Sequence, residues 1–329
     1  MEIAGGDKKA QYAEFCKSVY VPIYAKPWYM DAVCKPENWD VWLYCSGTDV
    51  VAAMPYYMEQ RNEYKYITRP LLTQNNGIIF KYPLGAKSVT KAKFEEKVIK
   101  AACEFIDGLD IDVFEEQFHY SFKNWLPFFW DSFTSVTRYT YIISDTKNLN
   151  DVWENISSKQ RSIIKKGQRN SIYEEGQLDI NSFYEEYIKI FHKQGMECPY
   201  SYDLWKRVSK ACIEHNAGKI LYRRTDEGKV ACLSFVIWDE KFVYKIMGGP
   251  IPEYAHLDAY AAATWDEIAL ASNLGLAYDF EGSVIKHISK SFREYGGNLK
   301  AYFRIRKVFN PEIVRKEAED YIERIKNNR

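Results

Sequence analysis

Paired cysteines are missing from this chain. The seven present, Cys16, Cys34, Cys45, Cys103, Cys198, Cys212 and Cys232, are odd in number, lie far apart and form no C-x-x-C. That excludes a zinc ribbon and a dithiol redox motif, and reduced, mostly buried thiols are expected. Histidine is scarce: five residues are scattered without an H-E-x-x-H, so no metal site is expected. An excess of one charge is missing too. Lys+Arg and Asp+Glu stand at 45 each, so no net field draws the chain to DNA or an anionic membrane, and any such binding needs a local patch. No apolar run approaches the about 18 residues of a membrane span. The stretch Met1-Glu-Ile-Ala-Gly-Gly-Asp7 has neither the basic start nor the apolar centre of a signal peptide. A cytoplasmic protein without a transmembrane segment is the expectation. There is no G-x-S-x-G elbow, and no cysteine has a histidine beside it in a recognisable signature, so nucleophilic catalysis has little support.

Core material is plentiful: 47% of the 329 residues are hydrophobic and 16% are aromatic. That length exceeds one ordinary core and predicts two domains. In the first, Trp39 to Cys45 and Val50 to Tyr57 are β-rich around the turn Ser46-Gly-Thr-Asp49 and predict a hairpin. Tyr64 to Ile67, Gly77 to Phe80 and Asp110 to Phe114 are further strands. Lys91 to Asp107 has helical spacing, closed by Gly108. The second domain opens with a strand at Val136 to Ile143 and a helix at Asp151 to Arg169. Helices near Asn181 to Lys193 and Ser201 to His215 follow. Next comes a meander at Lys219 to Arg224, Val230 to Trp238 and Phe242 to Met247. Helix Asp258 to Asn273, strand Leu276 to Phe280, helix Ser283 to Glu294 and strand Ala301 to Arg306 complete it, and a charged helix runs from Pro311. Each half reads as a strand meander, then helix and strand, without a letter-by-letter repeat. A structural duplication is the hypothesis.

Three segments could carry chemistry. On a continuous helix 151–169, Val152, Trp153, Ile156, Ile163 and Ile164 share one arc, and Lys159, Arg161, Lys165, Lys166 and Arg169 the opposite one. The spacing Arg161–Lys165–Arg169 sets like charges at i,i+4, which repel. The stripe is either a solvated face or a surface for phosphates. In Ala277-Tyr-Asp-Phe-Glu-Gly-Ser283 a strand would point Asp279 and Glu281 to one face, with Gly282 for a turn and Ser283 as a helix cap. Neighbouring carboxylates raise each other's pKa, and one can serve as a general base; the alternative is that both are structural, paired with basic side chains or helix-start N–H groups. In Tyr244-Lys-Ile-Met-Gly-Gly-Pro250 the glycine pair either turns a plain loop or brings backbone N–H groups to an anion, although the spacing fits neither a P-loop nor a dinucleotide fingerprint.

Taken in order, Trp153-Glu-Asn-Ile-Ser-Ser-Lys-Gln-Arg-Ser-Ile-Ile-Lys-Lys166, Tyr278-Asp-Phe-Glu-Gly-Ser283, and Ser291-Phe-Arg-Glu-Tyr-Gly-Gly297 leading to Tyr302-Phe-Arg-Ile-Arg-Lys307 resemble the Fem-type (methicillin-resistance-protein) branch of the N-acetyltransferase-like (GNAT-like) superfamily. Pro27-Trp28, Trp39-Asp-Val-Trp42, Ala53-Met-Pro-Tyr56 and Pro70-Leu-Leu-Thr-Gln74 are similar to its uncharacterised relatives. The resemblance implies an α/β (α+β) fold of two tandem GNAT-like domains, one over 1–134 and one over 135–310, with helix 311–329 packing on the first. It implies an acyl- or aminoacyl-transferase acting on an amine or hydroxyl of a lipid- or nucleotide-linked cell-envelope peptide or sugar precursor, with acyl-CoA or aminoacyl-tRNA as co-substrate and no tightly bound cofactor. Glu281 and Asp279 would be catalytic; Lys159, Arg161, Lys165, Arg169, Tyr244, Gly248, Gly249 and Arg293 would hold substrate or its phosphates. Fem-type enzymes carry Phe-Lys before their Phe-Gly-Gly, whereas this chain has Ser291-Phe292, flanked by Lys290 and Arg293; it also lacks a coiled-coil arm. The pyrophosphate loop Q/R-x-x-G-x-G/A is absent from Gly248 to Tyr260. The donor stays open, and a twin domain that binds glycan or precursor without turnover is the alternative.

Overall fold

The computed structural model describes residues 7–283 and 285–327. They divide into two compact units, 7–70 with 74–137 and 302–327, and 71–73 with 138–283 and 285–301.

Unit 1 opens with α1 (Lys8–Ser18) and α2 (Pro27–Cys34), two helices the apolar spacing does not announce. The hairpin β1 (Trp39–Ser46) and β2 (Asp49–Arg61) follows as expected, then β3 (Tyr64–Thr68) and the short β4 (Ile79–Phe80). Helix α3 (Ser88–Asp107) ends where Gly108 donates its N–H to the Glu104 carbonyl. The next strand, β5 (Val113–Gln117), begins three residues later than expected. The order is β1-β2-β3-β5, with β3 and β5 parallel, as a helical crossover requires. Helix α4 (Leu126–Trp130) puts Phe128 beside Phe114, Phe118, Phe122 and Phe133 in an aromatic core.

Unit 2 holds most of β6 (Thr134–Ile143), then α5 (Leu149–Asn155) and α6 (Ser158–Asn170) where one helix over 151–169 is expected. Ile156 leaves the helix (ψ 135), and the Ser157 hydroxyl accepts the Gln160 N–H to start the second one. After β7 (Ile172–Glu175), α7 (Ile180–His192) and α8 (Tyr202–Glu214) comes the meander β8 (Gly218–Arg224), β9 (Val230–Trp238) and β10 (Phe242–Pro250). Its strands are apolar on both faces because helices cover the sheet. Helix α9 (Ala259–Leu274) stops at Gly275, whose φ of +69° suits a left-handed cap. Strand β11 (Ala277–Asp279) returns parallel to β10 and antiparallel to β6, giving the order β6-β11-β10-β9-β8-β7. Helix α10 (Lys286–Glu294) and strand β12 (Asn298–Val308) follow. Arg304 to Val308 of β12 pair antiparallel with β5 within unit 1, where α11 (Pro311–Asn327) also groups through Ile313 against Tyr64 and Val113.

Candidate functional site

Strand β11 ends at Asp279 because the chain leaves extended geometry there. Glu281 (φ +63°) and Gly282 (φ +70°) are successive left-handed residues. A side chain at Gly282 would lie 2.1 Å from the Tyr139 carbonyl oxygen, so only glycine fits. The two acids therefore do not share a strand face, which corrects the i,i+2 expectation. Asp279 is buried, and its Oδ1 accepts the Thr140 hydroxyl and, at 2.8 Å, the Glu281 N–H. It braces the turn on which Glu281 stands. Glu281 is partly exposed as a residue, but its Oε1 is sealed from solvent. Burial pushes the Glu281 carboxyl up to about 8. It pushes Asp279 up to about 7 against the lowering effect of its two donors. Ser283 accepts the Ile285 N–H, so it caps the turn, and α10 begins three residues later than expected.

The three second-half segments that carry the resemblance, around Ile156 and Ile164, Tyr278 and Phe280, and Phe292 and Tyr295, meet in one core of unit 2. The Phe280 ring lies 4.9 Å from Phe292 and 5.8 Å from Tyr295. The Tyr141 and Ser289 hydroxyls are 3.1 Å apart. Ser157 N–H donates to the Glu294 carbonyl at 3.0 Å, which holds the break between α5 and α6 against the end of α10. A side chain at Gly296 (φ +81°) would come within 3.0 Å of the Asn155 carbonyl oxygen.

The cations are less uniform than a single helix implies. Arg161 pairs with Glu154 at 2.6 Å and Lys166 with Asp258 at 2.7 Å, while Lys165 stands over the Trp153 ring. Lys159 and Arg169, and Arg293 on α10, are exposed with no ion pair among the described residues. Gly248 and Gly249 do not form an anion-binding loop. They lie in β10, opposite Ser234 and Leu233, and a side chain at Gly248 would meet the Leu233 carbonyl oxygen at 2.6 Å. Close strand approach accounts for that glycine. Tyr244 is fully buried and donates to Asp239 Oδ2 at 3.0 Å.

One cluster escaped the sequence reading. Lys245 projects from β10 to Glu267 on α9, with Nζ 3.1 Å from Oε2 and 3.2 Å from Oε1, and also reaches Thr264 Oγ1 and the face of Tyr260. Ser234 (2.5 Å) and Tyr278 donate their hydroxyls to Glu267, which is wholly buried. Burial opposes the Lys245 charge, but Glu267 and Tyr260 outweigh it and raise the pKa. A lysine in the apolar strand Phe242-Val-Tyr-Lys-Ile-Met247 and a glutamate in the apolar helix after Trp265 were the available signals. A bulge between Lys245 and Met247 takes Ile246 out of the ladder with β9. Among the described residues no group of His, Cys, Asp and Glu could hold a metal ion, and no helix is long and apolar enough to cross a membrane.

Residues 151–284 match the family model described as an acetyltransferase (GNAT) domain. Among solved structures, FemX superposes with a TM-score of 0.67 at 11% identity, over 96% of this chain and 98% of that one. L-PGS from Bacillus licheniformis gives 0.53 at 9% identity, over 100% and 99% of the two chains. A tandem GNAT protein from the clavulanic acid biosynthesis pathway gives 0.54 at 8%, over 92% and 95%. No curated protein matches. The likeness is one of fold: the resemblance to the Fem-type branch and the tandem GNAT-like architecture hold.

Proposed function

We propose that this chain, which has a GNAT domain and the fold of FemX, transfers an acyl or aminoacyl group to an amine or hydroxyl of a cell-envelope peptide or sugar precursor. The observation that carries the reading is the Glu281 carboxyl, which stands just past the end of the parallel β10–β11 pair with its Oε1 sealed from solvent and is pushed up by burial to about 8. A carboxylate of that basicity takes a proton from an acceptor ammonium or hydroxyl better than an ordinary one. The freed nitrogen or oxygen attacks the donor carbonyl carbon. The thioester C–S or ester C–O bond then breaks, and the leaving thiolate or ribose oxygen is protonated. Asp279 is a positioning residue, since its Oδ1 fixes the Glu281 backbone. Lys159, Arg169 and Arg293 are the cations best able to meet phosphates of acyl-CoA or aminoacyl-tRNA, with Arg161 and Lys165 neighbouring them. Both donors are cytoplasmic, and neither needs a resident cofactor.

The test incubates the chain with acetyl-CoA, longer acyl-CoAs or charged tRNA and candidate amines, reading free thiol or deacylated tRNA. Glu281→Gln should lower turnover about a hundredfold or more, with little change in the Tm measured at about pH 6, where the wild-type carboxyl is still protonated. Normal turnover in a destabilised E281Q would make the carboxyl structural. A second reading, binding without turnover, is favoured by Gly248 and Gly249 being committed to the ladder. It stands if precursor glycans stabilise the chain while no donor is consumed.

A further inference from the structure

A cavity of about 510 Å³ opens in unit 2 between the start of α7, the outer stripe of α8 and β8, and shares no lining residue with the segments above. That volume lies in the range of about 300–1,000 Å³ usual for small-molecule sites. Its wall is mainly apolar, with Leu178, Ile213 and Ile220, and Lys206, Lys210 and Lys219 stand around it. The buried face of α8 is Leu204, Trp205, Val208 and Cys212. Lys206, Lys210 and Ile213 recur at i, i+4 and i+7, a second stripe that leaves Ile213 43% exposed. Two ammonium groups at i,i+4 repel one another. Their neutralisation is slight: Lys210 reaches Glu214 only at 3.7 Å, and Lys206 has the Tyr202 ring but no carboxylate among the described residues. Lys219 pairs with Glu175 at 2.8 Å. Asp179 also lines the cavity, but its carboxylate is committed to the start of α7, accepting from Asn181 N, Ser182 N and Ser182 Oγ.

An apolar hollow with a cationic edge fits an amphiphile with an anionic head. We propose that this cavity binds the single alkyl chain of a fatty carboxylate, with Lys206 and Lys210 meeting the carboxylate. The proposal is independent of the transfer reading. Calorimetric titration of the full chain with monomeric laurate should show one saturable site. Dodecyl maltoside and dodecyltrimethylammonium, the neutral and cationic arms, should bind far more weakly. Lys206→Glu with Lys210→Glu should weaken laurate about tenfold, and Ile213→Asp should abolish binding; these side chains are exposed, and circular dichroism checks each fold. Absence of saturable laurate binding, or unchanged binding to I213D, overturns the proposal. Equal affinity for all three amphiphiles would reduce the cavity to an unspecific apolar surface. Binding confined to anionic vesicles would make it a membrane contact, and either result rejects the fatty-carboxylate site.

Discussion

In unit 1, Tyr66–Thr68 run parallel to Val113–Glu115 and helix α3 joins them; in unit 2, Phe242–Tyr244 run parallel to Ala277–Asp279 and helix α9 joins them. The backbone plan is the same, and each second strand has acids at or near its end, Glu115 and Glu116 in β5 and Asp279 in β11. Their fates differ. In unit 1 the strand continues through Glu116 and Gln117, paired with Ile305 and Arg304 of β12. Glu115 meets Arg304 at 3.5 Å and Arg306 at 3.1 Å, and Glu116 is buried with no ion pair among the described residues. In unit 2 the strand stops, and two left-handed residues lift Glu281 out of any ladder. The second strands therefore end differently: in unit 1 the acids stay in the ladder with β12, and in unit 2 the turn at Glu281 and Gly282 takes Glu281 off the strand face.

The ion pairs give the largest expected contrast. Lys245→Met leaves the Glu267 carboxylate buried without its cation and should cost about 3–5 kcal/mol by chemical denaturation. Glu115→Ala, which removes a half-exposed acid from Arg304 and Arg306, should cost about 1 kcal/mol or less. Comparable losses in the two variants would erase the distinction, and would show that the Ser234 and Tyr278 hydroxyls suffice for Glu267.

Why some of this was legible in the sequence follows from range. Strand β9 was placed to the residue, because an apolar run on both faces lies between Gly228 and Asp239. Gly108 marked the end of α3. The break at Ile156 was hidden because the apolar period passes through it; the interaction that holds it comes from Glu294, far along the chain. Gly248 and Gly249 looked like a loop because only the distant partner β9 makes them a strand. Lys245 and Glu267 lie 22 residues apart, and no periodicity joins a strand residue to a helix residue at that distance. At the site itself the residue types were readable, and their shared face was not, since a left-handed glutamate cannot be inferred from alternation.

Glycines sharpen the comparison next. Gly282 and Gly85 have nearly the same positive φ, +70° and +67°, but a side chain meets Tyr139 O at 2.1 Å in the first case and nothing within 4 Å in the second. Gly282→Ala should cost about 3 kcal/mol or more, from strain and overpacking together. Gly85→Ala should cost about 1 kcal/mol, from conformation alone. Urea titrations of both variants decide it; equal costs would mean that Tyr139 yields and the turn is not held tightly.

The smallest effect is the one that tells the two acids apart. Burial pushes Glu116 up to about 8, and Glu281 likewise. A carboxyl raised in the folded state favours folding fully below its ordinary pKa, and that contribution is lost as pH climbs from there through the folded value. Between about pH 6 and pH 8 each such group should withdraw about 2 kcal/mol of stability. Glu116→Gln should therefore remove about 2 kcal/mol of the alkaline fall while leaving turnover untouched, measured by denaturation across that range beside the thiol-release assay. Glu281→Gln should flatten the same fall and also abolish most of the turnover. If E116Q slowed transfer as much as E281Q, the acid of unit 1 would share in the chemistry, and the turn at Gly282 could no longer be what separates the two units.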